Sequence, residues 1–177
     1  PEAIERILDS GPHIVELQEN FMLLVSRDQD RAFQAAHDVA TLGEEAVPVL
    51  ELMFPGRMFV DRYQYTAETL PPVEEHGPVM TALTMIGDPS IYIARKFLNH
   101  GVIESRFYAV YLLTQLPAQD LIGELFERLF DRDVQTRTVA RRIVTQYRRE
   151  PHFDADVLHP LREELRTGND DSRIEIG

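Results

Sequence analysis

Apolar residues recur at spacings of three and four along nearly the whole chain, the period of helices that bury one face. From Arg31 the set Ala32, Ala35, Ala36, Val39 and Ala40 forms one such stripe. Leu42-Gly43 then supplies a stop, because glycine suits the left-handed residue that ends a helix. A short second helix is expected to carry Val47, Leu50 and Met53, with Val49 and Phe54 widening its stripe. The same two-helix unit is expected at Pro78 to Ile86 with Asp88 to about Leu98, and at Glu104 to Leu116 with Gln119 to Phe130. A further unit is expected at Val134 to Arg149 with Asp154 to Leu165. Gly87, Asn99-His100-Gly101, Pro117 and Pro151 punctuate these runs, and Asp88-Pro89 places a capping residue before a proline at the first helical position. Only a few residues after Met58 leave room for a strand, so the fold class expected is all-α.

The helix pairs resemble one another in detail. An acidic turn precedes an arginine that opens the first helix of a pair: Asp28 with Arg31, Glu104 with Arg106, Asp133 with Arg137, and Asp170-Asp171 with Arg173. Arg106 and Arg137 stand 31 residues apart, and Arg137 and Arg173 stand 36 apart. Ala109 and Ala140 follow one turn later, where a small side chain lets a neighbouring helix approach. A proline early in the second helix also recurs, as Pro48 and Pro160, where the first-turn amides have no intrahelical partner to lose. A helix pair returning every 30 to 40 residues or so is the mark of an α-solenoid.

The segments Asp133-Val-Gln-Thr-Arg137-Thr-Val-Ala140 and Gly43-Glu-Glu-Ala-Val-Pro48-Val-Leu50 resemble HEAT repeats, particularly the short bacterial HEAT-like type. The resemblance covers about four helix pairs from Asp28 onward, with two more helices before it, and makes residues 1–177 one HEAT-like domain. It implies an α-α superhelix and a non-catalytic protein-binding or scaffold role. Competing implications are an enzyme resembling the phycobilin lyases or the HEAT-like DNA glycosylases, or a spacer within a larger protein. The second pair departs from the pattern: Pro78-Val-Met-Thr stands where the opening arginine is expected. HEAT-like iron hydroxylases bind metal through His-Glu dipeptides, and no histidine here is followed by glutamate.

A long insertion over residues 55–77 separates the first pair from the second. It holds Arg57, Phe59, Arg62, Tyr63 and Tyr65, and its Leu70-Pro71-Pro72-Val73 is expected to be extended. Two readings stand side by side. Arginine and tyrosine on a loop anchored to a rigid array make a recognition surface; equally, the aromatics fold back to cover an exposed edge of the array. At the other end, Asp170 to Gly177 looks like the opening of a repeat whose remainder is missing, so the chain is read as a fragment of a longer array or as trimmed at a disordered end.

Composition narrows the chemistry. With 30 acidic against 18 basic side chains, the net charge of −12 argues against general nucleic-acid binding and against anionic membrane surfaces. There is no cysteine, hence no disulfide, thiolate nucleophile or cysteine-based zinc site. The longest apolar run, Phe107 to Leu113, is too short to span a bilayer, and a cytoplasmic location is the default. An arginine-rich, nearly lysine-free composition suggests a bacterial source.

Within this acidic chain the stretch from Arg132 to Arg149 carries six arginines and one acid. On a helix Arg137, Arg141 and Arg148 share a face, an arrangement suited to an anion or an acidic partner, or else to ion pairs with neighbouring repeats. The adjacent carboxylates Glu44-Glu45, Glu74-Glu75 and Glu163-Glu164 diverge by roughly 100° on a helix and make poor acid–base pairs. His159 and Glu163 have ligand spacing but suit a simple hydrogen bond better. The expectation is therefore a protein-binding module with no catalytic residue, metal or cofactor. Its partner-binding candidates are Arg57, Phe59, Arg62, Tyr63 and Tyr65, with Arg137, Arg141 and Arg148 as a separate site for an acidic partner.

Overall fold

The computed structural model describes residues 13–147 together with His159 and Glu163. Arg148, the repeat opening expected at Asp170 and the helix expected before residue 13 lie outside the described residues, as does all but His159 and Glu163 of the helix expected over Asp154 to Leu165. The described residues form α-helices joined by 3-10 turns and contain no strand, so the fold is all-α.

The helices are α1 (His13–Leu23), α2 (Gln29–Ala40), α3 (Val47–Met53), α4 (Pro78–Ile86), α5 (Ile91–Phe97), α6 (Ile103–Leu112), α7 (Ile122–Leu125) and α8 (Val134–Gln146). Their ends follow from local chemistry. Asp28 caps α2 by accepting from the Arg31 amide, and Asp133 caps α8 by accepting from the Thr136 amide. Gly43 and Gly87 supply left-handed residues at φ 57° and 79°, the second closing α4. Where one continuous helix was expected over Gln119 to Phe130, only Ile122–Leu125 is α-helical, flanked by 3-10 turns. Gly123 in its middle costs about 1 kcal/mol against alanine, and no side chain caps it.

The main helix contacts run between the pairs read from the sequence. The first helices contact one another in order, α2 with α4, α4 with α6, and α6 with α8, while α3 lies on α4, α5 on α6 and α7 on α8. The apolar stripe of α2 is buried at Ala32, Ala35, Ala36 and Val39, and Ala109 and Ala140 are fully covered between their neighbours. One connected core runs from Leu24 to Val144.

The 31-residue offset is also visible in hydrogen bonds. Arg106 Nη1 donates to the carbonyls of His100 (2.8 Å) and Gly101 (3.1 Å). Arg137 Nη1 donates to those of Asp131 (2.6 Å) and Arg132 (3.2 Å), the carbonyls six and five residues back in each case. Each opening arginine thus ties its own helix to the turn before it.

Helix α6 shares with α4, whose residues Pro78 to Leu83 are all buried, an unbroken buried run. Every residue from Phe107 to Leu112 is buried, leaving it no polar face. A helix apolar all round must be covered all round. Helices α4, α5 and α8 contact it, and residues 55–77 lie across what remains.

Candidate functional site

The insertion is a strap whose ends are drawn together. The Phe59 amide donates to the His76 carbonyl at 2.8 Å. Gly77 lies so close to the other limb that an added Cβ would sit 2.2 Å from the Arg57 carbonyl oxygen, which only glycine allows. In place of the strand allowed after Met58, the strap forms 3-10 turns at Arg62–Gln64 and Val73–Glu75. Asp61 caps the first by accepting from the Tyr63 amide.

Arg62 is the pin of this strap. It is 2% exposed, and its Nε and Nη2 donate to Glu104 at 2.9–3.2 Å. Nη1 donates to Asp133 (3.0 Å) and to Gln135 Oε1 (2.7 Å), and Nη2 also donates to the Tyr63 hydroxyl at 2.8 Å. The guanidinium stacks between the rings of Phe107 and Tyr63, 4.2 and 4.3 Å from their centres. Gln135 answers with Nε2, donating to the Arg62 and Tyr65 carbonyls at 2.9 and 2.7 Å. Glu104 and Gln135 are 31 residues apart, the repeat offset, so one arginine grips equivalent positions on α6 and α8.

The electrostatics are matched. Burial works against charge on Arg62, yet hydrogen bonds to Glu104 and Asp133 outweigh it and hold the guanidinium above its ordinary range. Burial would raise Asp133, but the Thr136 hydroxyl and amide, together with Arg62, bring its carboxyl below the usual range. The Tyr63 hydroxyl donates to Glu104 at 2.6 Å, and that contact raises the phenol's pKa.

The predicted partner-binding residues therefore divide. Arg62 is spent inside the fold, with no donor directed at solvent or at another molecule's surface. Phe59 is half-buried, its ring 5.8 Å from Phe33 of α2, and exposed Arg57 lies 5.6 Å over it. Tyr63 and Tyr65 are 67% and 39% exposed. Val102, Ile103 and Val134, within two residues of Glu104 or Gln135 at the starts of α6 and α8, are exposed as well.

The arginine site fares differently. Arg137 is tied to backbone carbonyls as described, Arg141 is exposed, and Arg148 lies outside the described residues. A shallow cleft of about 420 Å³ lies nearby, lined by Arg106, Arg128 and Arg132 among others. Its centre is Asp131, which accepts from Arg106 Nε (2.8 Å) and Arg128 Nη1 (2.9 Å) and so uses their charge within the fold. Among the described residues no three of His, Asp and Glu are grouped as a metal ion would need, and no helix is long and apolar enough to cross a membrane.

Sequence reasoning missed Glu104, Asp133 and Gln135 as the strap's receptors. The repeat offset linking Glu104 to Gln135 was the available signal. No family model, curated protein or solved structure matches this chain.

Proposed function

We propose that this chain is a non-catalytic protein-binding module on a HEAT-like solenoid, and that it engages its partner through the exposed Tyr63 and Tyr65 of the strap together with the exposed Val134 at the start of α8. The ordered contacts of α2, α4, α6 and α8 and the repeated carbonyl ties of Arg106 and Arg137 support the array. The observation that carries the binding role is the presentation of Tyr63. Its ring is exposed while its hydroxyl and one face are fixed by Glu104 and Arg62, so little motion remains to be lost on association. An exposed tyrosine held rigidly in this way is the usual material of a binding hot spot.

The test is affinity capture with the chain and with a Tyr63→Ala, Val134→Asp variant, followed by titration of each captured protein in purified form. Both positions are exposed, so the variant keeps the fold. At least a tenfold loss of affinity is expected. Purified partners that bind the variant as tightly as the original would overturn the reading.

A further inference from the structure

We propose that His76 is an acid-released clasp: in mild acid the limb of the strap over residues 70–76 lets go of α6, while the limb pinned by Arg62 stays in place.

His76 is fully buried and closes the strap with every polar atom engaged. Its carbonyl accepts from the Phe59 amide of the other limb at 2.8 Å, and its amide donates to the Val73 carbonyl at 3.2 Å. Nε2 lies 3.1 Å from the Pro71 carbonyl, which only accepts, so Nε2 carries the imidazole proton. Nδ1 is therefore bare and accepts from the Tyr108 hydroxyl, 3.1 Å away.

A second proton has no place in this arrangement. It would set a donor on Nδ1 against a hydroxyl that is already donating to it. Tyr108 would have to turn its own hydrogen away, and among the described residues that hydroxyl has no other partner. The groups around the ring do not supply a compensating charge. Tyr108 and Tyr111 of α6 are held neutral by burial, and α4, on which the limb packs, carries no ionisable side chain. Arg142 of α8 and Glu75 act on Tyr111, and Arg62, Asp61 and Glu104 act on Tyr108. Glu74 favours the charged ring electrostatically, but burial outweighs it and holds His76 below its ordinary range.

The two limbs are fastened independently. Arg62 is tied to Glu104, Asp133 and Gln135, and Asp133, its carboxyl held below the usual range, keeps its charge in mild acid. Between the limbs Thr66 and Thr69 form an exposed turn of their own, the Thr69 amide donating to the Thr66 carbonyl at 3.2 Å. An open limb takes up a proton at His76 and the closed limb does not. Each pH unit below about 6.5 therefore multiplies the open population by up to about ten, or about 30-fold near pH 5.

The test is amide hydrogen exchange, read by NMR on the unmodified chain at about pH 7.5 and about pH 5 and corrected for the intrinsic rate. The reporters are the amides of Phe59, Glu75 and His76, bonded to the His76, Pro72 and Val73 carbonyls; those of Gln64 and Tyr65 report the Arg62 limb. Protection of the first set should fall about 5- to 30-fold in acid, and that of the second by less than about 2-fold. In His76→Gln, whose amide donates and accepts without titrating, protection should be the same at both pH values. The carbon-bound ring protons of His76 read the same point without a substitution, should the variant lose its helical circular dichroism; they should show a neutral ring in the closed limb near pH 5. A fall below about 5-fold, a matching fall at Gln64 and Tyr65, a ring that charges near pH 6.5 in a limb still protected, or an undiminished response in folded His76→Gln would each overturn the proposal.

Discussion

Arg62→Ala is the most informative single change. It removes one cation that answers two carboxylates and leaves Asp133, whose side chain is 13% exposed, and Glu104, 41% exposed, without their partner. Breaking a buried ion pair from one side costs about 3–5 kcal/mol. Glu104 can recover water and Asp133 keeps its bonds to Thr136, which places the electrostatic part near the lower end. Losing the stack on Phe107 and Tyr63 adds about 1 kcal/mol. The expected loss is therefore about 3–4 kcal/mol, or a fall in Tm of about 10 °C for a domain of this size.

Urea unfolding followed by helical circular dichroism measures that loss, and hydrogen exchange over residues 60–70 locates it. Tyr63→Ala, at a side chain 67% exposed on the same strap, is the control and should cost about 1 kcal/mol or less. If Arg62→Ala costs less than about 1 kcal/mol and exchange over residues 60–70 stays unchanged, the strap is held by something other than this arginine, and the latch is refuted.

Gly77→Ala should destabilise by about 1–3 kcal/mol, because its Cβ would meet backbone at 2.2 Å, while Gly101→Ala, with nothing within 4 Å, should be close to neutral; paired urea titrations decide this. Stability should also fall with acid in two windows. Burial lowers the His76 pKa, so the native state holds this ring neutral while the unfolded chain takes up a proton; stability is lost as pH drops below about 6.5, and His76→Gln should flatten that stretch of the curve. Hydrogen bonds hold Asp131 and Asp133 below the ordinary value against the opposing effect of burial, so their contribution is present above pH 3.8 and disappears as pH falls through their native values.

Elements set by local chemistry were legible in the sequence. Pro78 and Gly87 bound α4 where expected, Asp28 and Asp133 cap their helices, and the alanine stripe of α2 faces the core. Of the site, Tyr63 and Tyr65 were named from the sequence with their exposure left open, and Arg62 was not legible as a buried pin. A loop has no periodicity to separate inward from outward residues, and the partners of Arg62 lie 42, 71 and 73 positions away. The helix split around Gly123 was missed because the apolar spacing continues through a residue that weakens the backbone.

The strap and α6 are best understood as two halves of one packing unit. Helix α6 meets α4, α5 and α8, and its remaining face would meet water but for residues 55–77. On α6 that face carries Phe107, Tyr108 and Tyr111, all 3% exposed or less, together with the carboxylate that receives Arg62. Aromatic side chains bury 150–250 Å² each, so baring about half of three of them exposes about 300 Å², worth about 7 kcal/mol. That is comparable to the whole stability of a typical domain. The apolar run from Phe107 to Leu113 is thus tolerable only with the insertion over it. The insertion is held in part because Glu104 and Gln135, 31 residues apart and each the second residue of its helix, offer one arginine two footholds.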